Sequence, residues 1–229
     1  MKLLAIETTT EYCSAALSSG AGEPLFRHVH APREQTQRIL PMIDALLAES
    51  GWSLRELDAI AYANGPGAFT GVRIGAAVAQ GLAFGADVGM VGICSLRTLA
   101  QAAWRERGVD RVMASFDARM GEIYAGVFAQ HQGLMQALDD VIACKPEALP
   151  SSWVSGSYVG VGSAWGSYAD VLAAQLDITH QYPDLAPSAV DVATLAIDHL
   201  ARHPALAPEQ ALPVYLRDDV WKKLPGRQS

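Results

Sequence analysis

The sequence predicts an α/β protein built from two related halves. Two observations carry that prediction. Short apolar runs alternate with helical apolar stripes along the chain, and the second half repeats the order of the first in shortened form. With 229 residues the chain suits two modest domains, since domains commonly run about 100–150 residues. The repeat divides it into residues 1–108 and 109–229, with the C-terminal tail expected to pack back on the first domain.

Residues 3–6, Leu-Leu-Ala-Ile, form an apolar run ending in Glu7 and three threonines. Residues 13–18 supply a return strand before Gly20 and Gly22, and residues 25–30 a third strand. Over 34–50 the apolar positions Ile39, Leu40, Ile43, Leu46 and Leu47 follow the spacing of an amphipathic helix, which Gly51 closes. A strand at 58–63, a tight loop at Gly65-Pro66-Gly67, a helix at 70–85, a strand at 88–93 and a helix at 95–107 capped by Ser95 complete a β-β-β-α-β-α-β-α half. The pattern restarts with a strand at 111–116, an acid-bearing turn at 117–121, a return strand at 122–128 and a short strand near 134–138. After a proline-bearing stretch at 145–150 come a strand at 157–161, a loop at 162–166 and helices at 168–175 and 190–202.

Composition narrows the function. The chain is 50% hydrophobic and 18% charged, with a mean hydropathy of +0.14, so it has ample apolar material for packed cores and is not a disordered chain. Its 17 Lys and Arg against 24 Asp and Glu give a net charge of −7, without the basic excess of a stand-alone nucleic-acid binder. Any RNA contact therefore calls for a partner that holds most of the RNA. Cys13, Cys94 and Cys144 are an odd number, far apart and without zinc spacing, which fits a reducing cytoplasm. Glu7 interrupts the N-terminus before a signal-peptide core is long enough, and no run approaches the roughly 18–20 apolar residues of a membrane span. The expectation is a soluble cytoplasmic protein.

The two halves correspond by residue. Glu7-Thr8-Thr9 answers Asp117-Ala118-Arg119 at a hairpin turn, and Gly65-Pro66-Gly67 answers Gly160-Val161-Gly162 at a later strand end. An acid at a hairpin turn and a glycine loop before a helix, twice over, resembles the nucleotide cleft of the actin, sugar-kinase and heat-shock ATPase fold. In such clefts glycines let backbone N–H groups and helix N-termini face phosphate. The loop from Gly65 to Arg73 lacks the lysine of a Walker-type site, so Thr70 capping the helix and glycines making the turn explain it as well as anion contact through its N–H groups and Arg73. Glu7 and Asp117 are candidate acids, but no partner base, metal triad or lysine accompanies them in these motifs, and each also reads as fixing a turn or tuning a cleft. His199 and His203 have i, i+4 spacing without the intervening glutamate of a zinc protease, so no metal is assigned. Gly162-Ser163-Ala164-Trp165-Gly166 misses the G-x-S-x-G elbow by one residue.

The helix after Gly67 stands out, because residues 74–86 carry no charged side chain. Ile74, Val78 and Leu82 form one face able to pack on a sheet. Gly75, Ala76, Ala79 and Ala83 form the other, with Gln80 as its polar group. A helix apolar all round is buried all round, which points either to a protein interface or to coverage by the preceding helix.

Five blocks resemble one family: residues 4–11, Leu-Ala-Ile-Glu-Thr-Thr-Thr-Glu; residues 33–42; the loop from Gly65 to Gly75; Asp117-Ala118-Arg119-Met120-Gly121-Glu122; and Pro213-Val214-Tyr215-Leu216-Arg217. On these the chain is similar to the bacterial TsaB, or YeaZ, family of tRNA threonylcarbamoyladenosine biosynthesis, through to the tail at 221–225. The resemblance implies a duplicated actin-like ATPase fold, ribonuclease H-like and of the ASKHA class, in two domains. It implies a non-catalytic scaffold that binds and stabilises the catalytic paralogue TsaD, which transfers threonylcarbamoyl to the adenosine next to the anticodon. The ATPase TsaE joins the complex, tRNA is met only within it, ATP and metal are handled by partner subunits, and the chain alone forms a homodimer.

In that reading the first-domain helices carry the dimer surface, through Gln35, Ile39 and Met42 on one and Ile74, Ala76, Ala79, Gln80 and Ala83 on the other. A vestigial nucleotide cleft would comprise Glu7, Thr8, Gly65, Gly67, Thr70, Arg73, Asp117 and Arg119. Residues 33–38 contain no histidine where the paralogue has its metal-binding pair, and Ala68 stands where the family usually has serine. The competing reading is a nucleotide-dependent transferase or glycoprotease-type hydrolase in its own right.

Overall fold

A computed structural model of the chain describes residues 1–216. Arg217, the tail at 221–225 and the basic residues Lys222, Lys223 and Arg227 lie outside the described residues. The first sheet is built from β1 (Leu3–Glu7), β2 (Tyr12–Ser18), β3 (Leu25–His30), β4 (Ala59–Gly65) and β5 (Gly89–Cys94), in the spatial order β3-β2-β1-β4-β5. β1 pairs antiparallel with β2 from Leu3↔Ser18 to Glu7↔Ser14, and parallel with β4 from Leu3↔Ala59. The second sheet contains β6 (Arg111–Arg119), β7 (Glu122–His131), β8 (Leu134–Ala137), β9 (Ile142–Cys144), β10 (Ser157–Val161) and β11 (Asp177–Tyr182). Its order β11-β10-β6-β7-β8 is the first sheet's order read from the other edge, with β6 in the place of β1. This is the duplicated actin-like arrangement the sequence predicts.

Among the described residues five helices cover the sheets: α1 (Gln35–Ser50), α2 (Phe69–Ala86), α3 (Ser95–Arg107), α4 (Ala164–Ala173) and α5 (Ala189–Leu200). Among the described residues the second half has no counterpart of α1; β9 and a short turn at Ser151–Trp153 occupy that stretch of chain. Sequence patterning misses β9 and β11. β11 reads Asp-Ile-Thr-His-Gln-Tyr and lies at a sheet edge with mostly exposed side chains, so it shows no apolar alternation. Two caps also differ from expectation. Cys94, not Ser95, is the N-cap of α3, and Ser95 Oγ instead accepts the Gly65 N–H at 3.2 Å. The N-cap of α2 is Ala68, leaving Thr70 exposed inside the first turn.

Strand alternation gives each sheet two apolar faces. On the first sheet Leu4, Ile6, Ala15, Leu17 and Ile60 face α1 and α2, meeting Ile39, Ile43, Leu46, Ala76, Ala79 and Ala83. The opposite face is rich in alanine, with Ala5, Ala16, Ala59, Ala61 and Ala63 beneath Val192, Ala193 and Leu195 of α5. On the second sheet Val112, Ala114 and Phe128 receive Leu96, Leu99, Ala100 and Ala103 of α3, while Trp153, Trp165 and Leu172 cover the outer face. The halves thus exchange helices. α3 follows the first sheet in sequence but packs on the second, and α5 follows the second but packs on the first.

The exchanged helices touch each other and are tied by an ion pair. Arg105 donates from Nε and Nη2 to the two carboxylate oxygens of Asp191, both at 2.9 Å. The Asp191 side chain is 1% exposed and that of Arg105 38%, and burial pushes the Asp191 carboxyl up to about 6 against the pull of the guanidinium. Removing the cation leaves a buried, unpaired carboxylate. Arg105→Ala should therefore lower the unfolding free energy in urea at pH 7.5 by about 2–3 kcal/mol. The apolar pair Arg105→Met with Asp191→Leu should recover most of that loss.

Candidate functional site

The two sheets meet around a cleft of about 770 Å³. One wall comes from the β1–β2 turn and the start of α2, including Thr9, Tyr12, Gly67 and Phe69; the other comes from the β6–β7 turn and the start of α4, including Phe116, Asp117, Arg119 and Ser163. Residues 183–187, leading into α5, and residues 214–216 complete it.

The duplicated acids sit on matching turns and do matching work. Glu7 Oε1 accepts the Thr9 N–H at 2.5 Å and the Thr9 hydroxyl at 2.7 Å. Asp117 Oδ1 accepts the Arg119 N–H at 2.8 Å, and the Asp117 N–H donates to Ser163 Oγ at 3.0 Å. Each carboxylate therefore holds the backbone two residues ahead and fixes its turn. Their surroundings differ. Glu7 is fully buried, and its Oε2 has no hydrogen-bond partner among the described residues. Burial pushes its carboxyl up to about 7, opposed by the Thr9 hydrogen bonds and reinforced by the nearby Asp191 charge. Asp117 reaches the cleft and lies 3.4 Å from Arg119 Nη1.

The glycine run packs against the chain's own first turn. A Cβ on Gly67 would fall 2.5 Å from the Thr9 carbonyl oxygen, one on Gly75 2.7 Å from Thr8 Oγ1, and one on Gly71 would collide with the Thr8 carbonyl. The Ala68 N–H donates to the Thr9 carbonyl at 2.7 Å, and Thr8 Oγ1 donates to the Gly71 carbonyl at 2.8 Å. The space these glycines open is filled by the chain's own β1–β2 turn. Gly65, at φ +110°, admits the Val214 carbonyl, which a Cβ would meet at 2.8 Å. Arg73 lies outside the cleft wall, with its guanidinium carbon 3.2 Å from the Phe69 ring centre and 4.8 Å from that of Tyr215. Of the eight residues expected to form a nucleotide cleft, Gly67, Asp117 and Arg119 line it. Glu7, Thr8 and Gly65 are buried, and Thr70 and Arg73 are exposed outside it. These residues do not fit a nucleotide phosphate chain at the first turn. Among the described residues no group of three His, Cys, Asp or Glu is placed to hold a metal ion.

The α2 helix presents the reverse of the expected face. Ala76, Ala79 and Ala83 are 3%, 0% and 0% exposed and lie on the first sheet, so they cannot meet a partner. Ile74, Val78 and Leu82 are half-buried at the flank. The reason is the close approach set by Gly71 and Gly75: only small side chains fit between the helix axis and the strands at that spacing. On α1, Ile39 is fully buried, Met42 half-buried, and Gln35 buried with its Nε2 donating to the Thr10 carbonyl at 2.8 Å. Gln80 is half-buried and donates to the Pro208 and Ala211 carbonyls at 3.1 and 3.0 Å, pinning the C-terminal segment to α2.

The surface that α1 and α2 do offer contains Gln37, Leu40, Pro41 and Ala45 from one, and Arg73, Ala77, Gly81 and Phe84 from the other. Phe84 is 81% exposed and Leu40 44%. Phe84 was legible as the one aromatic lying off the Val72, Ala76, Ala79, Ala83 stripe.

The TsaD family model, described as tRNA N6-adenosine threonylcarbamoyltransferase, matches residues 29–149. The tRNA threonylcarbamoyladenosine biosynthesis protein TsaB of Escherichia coli is 43% identical to the chain, with all of both chains aligned. The protein of the same name from Haemophilus influenzae is 40% identical over all of this chain and 99% of its own. YeaZ from Pseudomonas aeruginosa superposes with a TM-score of 0.88 at 41% identity, covering 94% of this chain and 99% of that structure.

Two predictions test this geometry. Because the folded Glu7 carboxyl lies near 7 and its ordinary value is 4.5, the fold favours the protonated form, so its contribution is complete below about pH 4.5 and lost as pH rises through 7. Glu7→Gln mimics that form. It should unfold in urea at pH 8.5 with about 2–3 kcal/mol more stability than wild type, with the difference vanishing near pH 4.5. The glycines of α2 should split by position. Gly71→Ala should destabilise by about 1–3 kcal/mol through overpacking. Gly81→Ala, whose Cβ meets nothing within 4 Å, should stabilise by about 0.5–1 kcal/mol through helix propensity, both read from thermal or urea midpoints.

Proposed function

The chain belongs to the TsaB proteins of tRNA threonylcarbamoyladenosine biosynthesis and, through residues 29–149, to the wider family the TsaD model describes, and on that premise we propose that it is a non-catalytic subunit pairing with the TsaD-type transferase. The observation that carries this reading is the outer face of α1 and α2, where Leu40, Ala77, Gly81 and Phe84 lie on the surface and no charged residue occurs from 74 to 86. An exposed phenylalanine beside small residues suits a tight helix-to-helix contact, with the aromatic side chain as its anchor.

In this role the chain carries no nucleotide or metal of its own. The glycines that would admit phosphate are committed to its own first turn, and ATP and metal belong to the partner subunits. TsaE joins the assembly, and tRNA is met only there, as the net charge of −7 favours. Without its partner the chain pairs with a second copy through the same helices, in the cytoplasm.

The test is co-purification with the TsaD paralogue from the same organism, followed by light scattering of the mixture and of each protein alone. A stable contact should bury at least about 800 Å² per partner. Phe84→Glu and Ala77→Glu should each abolish the heterodimer while leaving the circular dichroism and melting of the chain unchanged, since an unpaired charge at a desolvated contact costs several kcal/mol. Undiminished pairing in both variants would overturn the assignment of this face. Ala79→Glu is no such test, because it buries a charge in the chain's own core.

A further inference from the structure

Charge is missing from the outer face of α2 at every position but one. Across Phe69–Ala86 the sole charged residue is Arg73, exposed on the same row of the helix as Phe69, Ala77, Gly81 and Phe84. Its guanidinium is already placed. The carbon lies 3.2 Å from the Phe69 ring centre and 4.8 Å from that of Tyr215, and Nη1 donates to the Phe69 carbonyl at 3.3 Å. Among the described residues it forms no ion pair. Tyr215 belongs to a strap that runs antiparallel to α2. Gln80 holds the Pro208 and Ala211 carbonyls at mid-helix, the Tyr62 hydroxyl donates to the Leu212 carbonyl at 3.1 Å, and the Val214 N–H donates to the Asn64 carbonyl at 2.8 Å. Tyr215 then reaches the start of the helix, its ring centre 6.5 Å from that of Phe69. These bonds pin the strap's backbone while its side chains stay outward: Leu212, Val214 and Tyr215 are 64%, 41% and 48% exposed, beside Phe69 at 53%.

We infer that the contact with the TsaD-type subunit extends across this strap, and that Arg73 is the seat of a carboxylate on that subunit. The inference rests on the pairing proposed above. Two observations select an acidic side chain in an apolar surround as the occupant. The first is the company Arg73 keeps: a face whose other members are phenylalanine, alanine, glycine and leucine sheds water when it docks, and a cation enclosed there without a counter-charge is strongly disfavoured. The second is its geometry. Stacking against Phe69 and Tyr215 fixes the plane of the guanidinium, so its remaining N–H groups keep the fork that a carboxylate accepts in two parallel hydrogen bonds. A side chain held in this way has little freedom left to lose on binding.

The experiment is isothermal titration of the full chain into the TsaD paralogue at low and high NaCl, about 50 and 500 mM. At low salt Arg73→Met and Leu212→Asp should each weaken pairing by at least about tenfold. The wild-type dissociation constant should rise about fivefold with the added salt and that of Arg73→Met less than about twofold, because only the wild type has a charge pair to screen. Arg111→Met, which removes the same charge from beside Tyr158 on the second sheet, should match wild type. An equal salt dependence in wild type and Arg73→Met would overturn the carboxylate seat. If wild type pairs and Phe84→Glu abolishes pairing, while Arg73→Met and Leu212→Asp leave it unchanged, the inference is overturned and the α1–α2 face stands. Absence of pairing by the wild type overturns both. If Arg73→Met pairs as wild type does but its assembled complex retains less tRNA, Arg73 serves a phosphate instead and the inference is overturned.

Discussion

The exchange of α3 and α5 between the two sheets is the constraint on which the rest of the molecule depends. Each sheet needs apolar cover on the face that looks toward the other half, and in each case the cover comes from the opposite half of the sequence. Neither sheet can shed water alone without exposing alanine, valine and phenylalanine faces. The Arg105–Asp191 pair holds the exchanged helices together at a point where Asp191 has no access to water. The cleft is a consequence, because the turns at the ends of β1 and β6 open side by side above the crossing helices.

Duplication preserved the turn acids while their environments diverged. Glu7 and Asp117 both hold the backbone two residues ahead, which keeps two hairpin turns in similar shape. One became a buried carboxyl near 7, and the other stayed at the cleft beside Arg119. A glycine-rich loop following such a turn has the look of a phosphate cradle. Here the backbone of Thr8 and Thr9 fills the room that the missing side chains leave. That close packing also dictates which residues of α2 meet the sheet and which stay on the surface. The small residues go inward and Phe84 is left outward. The seating of the glycines on Thr8 and Thr9 and the outward position of Phe84 are in this sense one structural feature.

Much of the fold was legible because its signals are local. Apolar runs in 3–6, 58–63 and 111–116 mark the central strands, the spacing of Ile39, Ile43 and Leu46 marks α1, and the recurrence of an acid before a hairpin marks the duplication. Strands β9 and β11 were not legible, since β9 is three residues, Ile-Ala-Cys, too short to show an alternation, and β11 is a polar edge strand without one. The candidate site was readable as a set of residue types but not as an arrangement. Gly65, Gly67, Gly71 and Gly75 announce close approach, yet nothing in their spacing says whether phosphate, Thr8 or Val214 does the approaching. Along the uncharged helix, periodicity separates two faces without saying which turns inward. Pattern alone thus establishes the fold class, the duplication and the family blocks, because covalent neighbours fix backbone preference and periodicity. The helix exchange, the inward turn of Ala76, Ala79 and Ala83, and the burial of Glu7 depend on contacts between segments far apart in the chain, where packing volume and desolvation outweigh any local preference.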